Sequence, residues 1–292
     1  MDIKDDRQGF LGPHHREILG ATRVCLMGAG GGGSQIGQQL AHVGFGTVYI
    51  FDHDRMGEEN HNREIGMTEE DITNQSWKAD IVTRNIKGIR ALTKVITIRD
   101  KWQAQAEVLR GCHLVFGCLD SFSERQELEI SCRRYLVPFI DIGMDVYGAE
   151  NDYSISGQVI LSMPGQYCMR CLGFLNDRVL ALEAAKYGNA GFQPQVVWPN
   201  GILASTAMWV AVSLFTPWHQ KHQPVVYLEY DGNSGRITPS NRLLALVRRG
   251  NICSHFSQMS DLGDPFWASR EEKGVGEAKG ARPHFAARGG SI

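Results

Sequence analysis

Six polar residues fall in loops or at a helix start, Asp52, Asp54, Asn60, Arg63, Lys78 and Asp120, and of these Arg63, Lys78 and Asp120 are typed to hold a polyphosphate. Four of the six share one loop, "FDHDRMGEENHNREIG" (51–66), while Lys78 opens a helix-length segment and Asp120 follows the apolar run "HLVFGC" (113–118). Cations offset the charge that builds on a phosphate under attack, and an aspartate holds the magnesium that bridges phosphate oxygens. Upstream, "LMGAGGGGSQIG" (26–37) sets Gly28, Gly30, Gly31 and Gly33 between an apolar strand and a helix. Glycines there let a phosphate approach the backbone amides at a positive helix end. Asp52, nineteen residues after Gly33 (52 − 33), stands where a Rossmann unit holds a ribose. The glycine loop and Asp52 alone suit NAD as well as ATP. A dinucleotide oxidoreductase, however, needs no convergence of Arg63, Lys78 and Asp120 on the phosphates, whereas cleavage of ATP does. The four consecutive glycines would then leave backbone room beside the nucleotide for a slender substrate, which a side chain at Gly31 should block.

A second grouping is Cys168-Met-Arg-Cys171, a spacing suited to tetrahedral zinc. Cys25, Cys112, Cys118 and Cys132 instead sit in or beside apolar patterns and read as small buried hydrophobes. Seven cysteines without a secretion signal point to a reducing, cytoplasmic setting.

The elements that must position these residues follow a regular cadence. Runs 23–28, 47–52, 95–98, 113–118 and 137–142 read as strands, separated by helix-length stretches at 33–43, 77–92, 104–110 and 122–135. Alternation of this kind builds a parallel sheet with helices on both faces. Segments 156–164 and 225–238 read as antiparallel strands, the latter turning at Asn233-Ser234-Gly235, with a buried helix over 201–215 between them. The expectation is an α/β, Rossmann-like sheet, parallel in its N-terminal half and antiparallel in its C-terminal half. Residues 1–21 form a helical arm, 22–255 a single domain, and 256–292 a flexible extension without apolar periodicity. Length (292 residues), 42% hydrophobic content and a net charge of −2 suit an ordinary globular chain and give no reason to expect nucleic acid or membrane as partner.

Taken in order, "RQGFLG" (7–12), "GAGGGGS" (28–34), "DHD" (52–54), "NHNR" (60–63), Lys78, "CLDS" (118–121) and "CMRC" (168–171) resemble the ThiF/MoeB/HesA family of adenylating enzymes, in the ubiquitin-activating superfamily. The resemblance implies attack by the C-terminal carboxylate of a ubiquitin-like or sulfur-carrier protein on the ATP α-phosphate. It implies that Gly31 and its neighbours lie against ATP, and that Asp52 holds the ribose. Asn60, Arg63 and Lys78 would contact phosphates, Asp120 would ligate magnesium, and Arg7 would reach a neighbouring subunit's site in a homodimer. Such relatives close the zinc site with a second pair near the C-terminus; here Cys253 and His255 would complete a three-cysteine, one-histidine structural site.

Departures from the pattern are informative. Glu64 and Ser121 stand where the family often has glutamine and asparagine, and Glu64 is expected to point away from the triphosphate or to pair with Arg63. No cysteine occurs between Leu172 and Phe215, which implies adenylation without a covalent thioester on this chain. Competing expectations are a tRNA-modifying dehydratase or peptide adenylase of the same fold and, from another class, an NAD-dependent oxidoreductase.

Overall fold

The computed structural model describes residues 3–185, 194–219, 227–249 and 253–256. Its strands are β1 (Arg23–Met27), β2 (Thr47–Phe51), β3 (Lys94–Ile98), β4 (Leu114–Gly117), β5 (Phe139–Ala149), β6 (Asp152–Ser162), β7 (Tyr227–Asp231) and β8 (Arg236–Pro239). They form one sheet in the order β3-β2-β1-β4-β5-β6-β7-β8. The pairings among β3, β2, β1, β4 and β5 are parallel, and those of β6, β7 and β8 are antiparallel. The order reverses between β1 and β4, so the connections leaving those two strands part and open a crevice at their C-terminal ends.

The helices are α1 (His15–Ala21), α2 (Gly31–Val43), α3 (Glu69–Thr73), α4 (Lys78–Ile89), α5 (Phe122–Arg134), α6 (Asp177–Ala185), α7 (Val197–Phe215) and α8 (Asn241–Arg249). Strand alternation sends successive side chains to opposite faces. Val24, Leu26, Val48, Ile50, Leu114 and Phe116 pack with residues of α2, α4 and α7. Cys25, Met27, Phe51, Val115 and Phe139 pack on the other face with α5 and the 3-10 segment Trp102–Gly111. Because both faces are covered, the parallel strands read as unbroken apolar runs rather than alternating ones. The expected class, sheet polarity and two-sided cover are all present.

Several boundaries differ from expectation, each for a local reason. Helix α7 begins at Val197 rather than 201 because Pro199 sits in its first turn, where a missing N–H costs nothing. Its 19 residues reach the length and apolarity of a bilayer span, yet Leu203, Ala204, Ala207, Val210 and Ala211 are buried in the core against the sheet. Helix α2 begins at Gly31 rather than 33, and residues 104–110 belong to a 3-10 stretch. Strand β5 continues past Gly143 to Ala149 and returns as β6 through Glu150 and Asn151, both at positive φ. That two-residue turn has hairpin geometry without the glycine that usually marks one. Residues 225–226 of the expected seventh strand, and the extension after Phe256, lie outside the described residues.

Candidate nucleotide-binding crevice and cysteine–histidine cluster

The crevice is built from the exits of β1, β2 and β4. Gly28 takes φ +90° directly after β1, and a Cβ there would strike the Cys118 carbonyl at the exit of β4. A Cβ on Gly33 would strike the Gly28 carbonyl, so the loop folds tightly onto its helix. Gly30 caps α2 without a side chain, and nothing lies within 4 Å of where its Cβ would be. First-turn amides, which have no partner within the helix, and the positive end of the α2 dipole suit phosphate oxygens at this spot. Asp52, at the end of β2, accepts the Ala29 amide on Oδ2 (2.6 Å) and the Asp54 amide on Oδ1 (2.8 Å). Burial raises its pKa, against the pull of those two amides. Each oxygen retains a lone pair for a ribose hydroxyl.

At Gly31 and Gly32 the space a side chain would take is occupied by neighbouring residues. A Cβ on Gly31 would lie 2.6 Å from Asn200 Nδ2 and 3.3 Å from Arg63 Cγ, and one on Gly32 would lie 2.9 Å from Ile142 Cδ1. The space beside these two glycines is filled by the start of α7 and by β5. Close approach of Asn200, Arg63 and Ile142 to the loop leaves no ready space for a side chain at either position.

The cationic side of the crevice centres on Lys78, the first residue of α4. Its Nζ lies 3.3 Å from Asp54 Oδ2 and 3.6 Å from Glu64 Oε1. Burial works against the Lys78 charge, but Glu64, Asp54 and Asp52 outweigh it and hold its pKa above the ordinary value. Glu64 pairs with Lys78 rather than with Arg63, and its side chain is 2% exposed. Burial pushes its pKa up to about 7 despite the Lys78 ammonium. Arg63 instead donates to the Glu59 carbonyl and, at 3.2 Å, to Asn62 Oδ1. Asn60 is buried, and its Oδ1 accepts the Gly57 amide at 3.0 Å, so it closes its own turn.

Asp120 is exposed just beyond β4. Ser121, not Asp120, caps α5, accepting the Glu124 amide at 3.2 Å. This leaves Asp120 as an oxygen donor of the kind that suits magnesium. The loop bearing it is clamped from behind. Arg125 Nε donates to the Leu119 carbonyl at 3.0 Å while its Nη1 donates to Asp141 Oδ2 at 2.7 Å. Asp141 is fully buried, and burial raises its pKa to about 6 against the pull of Arg125.

The segment between β6 and α7 comes down on the same ground. Glu183 of α6 accepts the Phe122 and Ser123 amides (2.6 and 2.8 Å) at the start of α5. Gln195 bridges Asn62, whose Nδ2 donates to its carbonyl at 3.0 Å, and Asp120, to which its own Nε2 lies 3.5 Å. Sequence reasoning missed Arg125, Asp141, Glu183, Gln195 and Asn200. Only Arg125 left a trace, as a cation one helical turn past the cap of α5.

Arg7 is exposed on the 3-10 segment Ile3–Leu11, whose Gln8 donates to the His42 carbonyl at 3.1 Å. His42 lies in the last turn of α2, and the helix rises about 1.5 Å per residue, so the arm docks roughly 17 Å from the glycine loop. Arg7 is thus held away from its own chain's crevice.

At the far end of α5 from the crevice, ligand atoms of Cys168, Cys171, Cys253 and His255 all lie within 4.8 Å of one another. Cys168 and Cys171 Sγ are 3.6 Å apart, and His255 Nδ1 lies 3.5 and 3.2 Å from them. A tetrahedral zinc with bonds of about 2.3 Å to sulfur separates two thiolates by roughly 3.8 Å. The donor set and its spacing fit zinc, and the cluster ties residues 253–256 to the loop after β6.

Comparison with known proteins agrees with this geometry. The chain is 30% identical over 165 residues to the SAMP-activating enzyme E1 of Haloferax volcanii, covering 56% of this chain and 57% of that enzyme. It is 27% identical over 216 residues to the sulfur carrier protein adenylyltransferase of Thermus thermophilus, covering 71% of this chain and 75% of that one. The chain spans about half the length of the Haloferax enzyme and of the sulfur carrier protein ThiS adenylyltransferase of Bacillus subtilis (57% and 47%). A crystal structure of E. coli MccB with ATP shares the fold at TM-score 0.65 and 17% identity, covering 83% of this chain and 72% of that one. A family model described as "ThiF family" matches residues 6–241. The match spans most of the described residues, and the chain belongs to the ThiF family.

Proposed function

We propose that this protein is an ATP-dependent adenylyltransferase that activates the C-terminal carboxylate of a ubiquitin-like or sulfur-carrier protein as an acyl adenylate, releasing pyrophosphate. The observation that carries this reading is the gathering of Lys78 and Arg63 with the glycine loop and Asp120 where the strand order reverses. A carboxylate nucleophile is already ionised and needs no general base, so the chain has to supply alignment and charge neutralisation. Asp52 would hold the ribose, and the α2 amides and Lys78 would hold phosphates. Arg63 would turn from the Glu59 carbonyl toward them. Asp120 would hold magnesium, which neutralises phosphate charge when bound. Asn60 would act by shaping the loop.

The cysteine-free stretch between Leu172 and Phe215 supports an adenylate passed directly to an external acceptor. Arg7, held away from its own crevice, would serve a second copy in a homodimer. Residues 22–255 would act as one adenylation domain, and seven free thiols suit a reducing compartment such as the cytoplasm. Cys168, Cys171, Cys253 and His255 would hold a structural zinc; metal analysis of the purified protein should find close to one zinc per chain, and a Cys171→Ser variant should have lost it.

The test is isotope exchange between pyrophosphate and ATP with a panel of ubiquitin-like and sulfur-carrier proteins. Exchange should require a carrier and fall about 10²–10³-fold in Asp120→Ala, with thermal stability unchanged because Asp120 is exposed. Exchange driven instead by tRNA and a small carboxylate would favour the dehydratase reading.

A further inference from the structure

Within the phosphate-facing loop, Glu64 combines burial with a carboxylate oxygen that lacks a hydrogen bond. Its Oε1 is buried without a hydrogen-bond partner, and the Lys78 ammonium stands 3.6 Å away, too far for a hydrogen bond. Lys78 is therefore held between two unequal carboxylates. Asp54, 55% exposed, stays hydrated wherever Lys78 goes, whereas the Glu64 side chain, 2% exposed, does not. The groups that face Glu64 are Lys78 from α4, Asp52 from the end of β2 and Arg63 from its own loop, with Asp54 beyond Lys78. Asp52 repels a charge on Glu64, and the Arg63 guanidinium is turned toward Glu59 and Asn62.

Resting on the assignment of Lys78 to the phosphates, we infer that Glu64 is a proton-coupled positioning residue. It holds Lys78 before nucleotide binds, and takes a proton from solvent when ATP draws Lys78 onto its phosphates. A carboxylate left in a buried site without its cation, and now beside an added polyanion, is costly as an anion; protonation removes that cost. The Glu64 pKa of about 7 before binding puts such a proton within reach near neutrality. The sign follows from linkage: nucleotide binding raises the proton affinity of Glu64, so ATP affinity falls as pH rises above about 7, by at most tenfold per pH unit. A glutamine here could hold no proton and would set Lys78 by a neutral contact, which makes Glu64 a pH-responsive version of the position.

Calorimetry of ATP with magnesium, in buffers of different ionisation enthalpy, counts the protons exchanged on binding. Near pH 8 the wild type should take up more protons than Glu64→Gln, and near pH 6, where Glu64 is already protonated, the difference should vanish. The ATP's own proton equilibria are common to both proteins and cancel. Equal proton counts in two proteins that both bind ATP would overturn the inference and leave adenylation standing; a wild type that binds no ATP would overturn both. If the variant does not fold, the infrared difference spectrum of the wild type on ATP binding decides. A new protonated-carboxyl band is expected at pH 8, and its absence would sink the idea.

Discussion

Asp141 and Glu64 are both buried carboxylates at the crevice, and they are paired in opposite ways. Asp141, on β5, meets the Arg125 guanidinium at 2.7 Å, and Arg125 also holds the Leu119 carbonyl. Glu64, on the phosphate loop, has the Lys78 ammonium as its ion-pair partner at 3.6 Å. A guanidinium is a planar, multi-pronged donor that fixes geometry, and an ammonium on a flexible stem is a movable charge. The difference separates two tasks: one pair clamps the loop that presents Asp120, and the other keeps Lys78 available to move.

Breaking the clamp should have the largest effect. Arg125→Ala leaves Asp141 as an unpaired buried charge and should cost about 3–5 kcal/mol of stability by urea unfolding. Asp141→Asn in the same chain should recover part of that loss. A cost below about 1 kcal/mol would mean that the clamp contributes little.

Next comes the glycine loop, which lies between the two pairs. Gly31→Ala places a methyl 2.6 Å from Asn200 Nδ2 and should cost roughly 1–3 kcal/mol by overpacking. Adding Asn200→Ala should restore stability, and failure to restore it would show that the glycine answers to something other than α7.

The looser pair should show its effect through pH. The folded pKa of Glu64, about 7, lies above the unfolded value of about 4.3. Its contribution is therefore full below the unfolded value and is lost as pH rises toward 7. Glu64→Gln should flatten the decline in stability across that window and be the more stable of the two proteins near pH 8. Unchanged curves in thermal melts across that range would contradict the assignment.

What the sequence discloses and what it hides divides along the same lines. Five parallel strands were legible because strands buried on both faces read as continuous apolar runs. The positions of the glycine loop, Asp52, Lys78 and Asp120 at strand exits or a helix start are legible because apolar runs mark where the strands end. The clamp was not: Arg125 reads as an ordinary helix cation, and Asp141 as a polar break in "VPFIDI". Their pairing depends on β4 lying beside β5. Glu64 stood out by residue type, but its partner was misjudged, because Lys78, fourteen positions away (78 − 64), reaches it only once α4 is docked. The contact of Gly31 with Asn200 is not legible, because Asn200 lies on a helix far along the chain.

The central claim is cleavage of ATP at its α-phosphate, and product identity tests it most directly. Phosphorus NMR of a reaction containing ATP, magnesium, the protein, an ubiquitin-like or sulfur-carrier protein and an acceptor nucleophile should show AMP and pyrophosphate accumulating together, with no ADP. ADP with orthophosphate, or hydride exchange with NAD while ATP stays intact, would contradict the account.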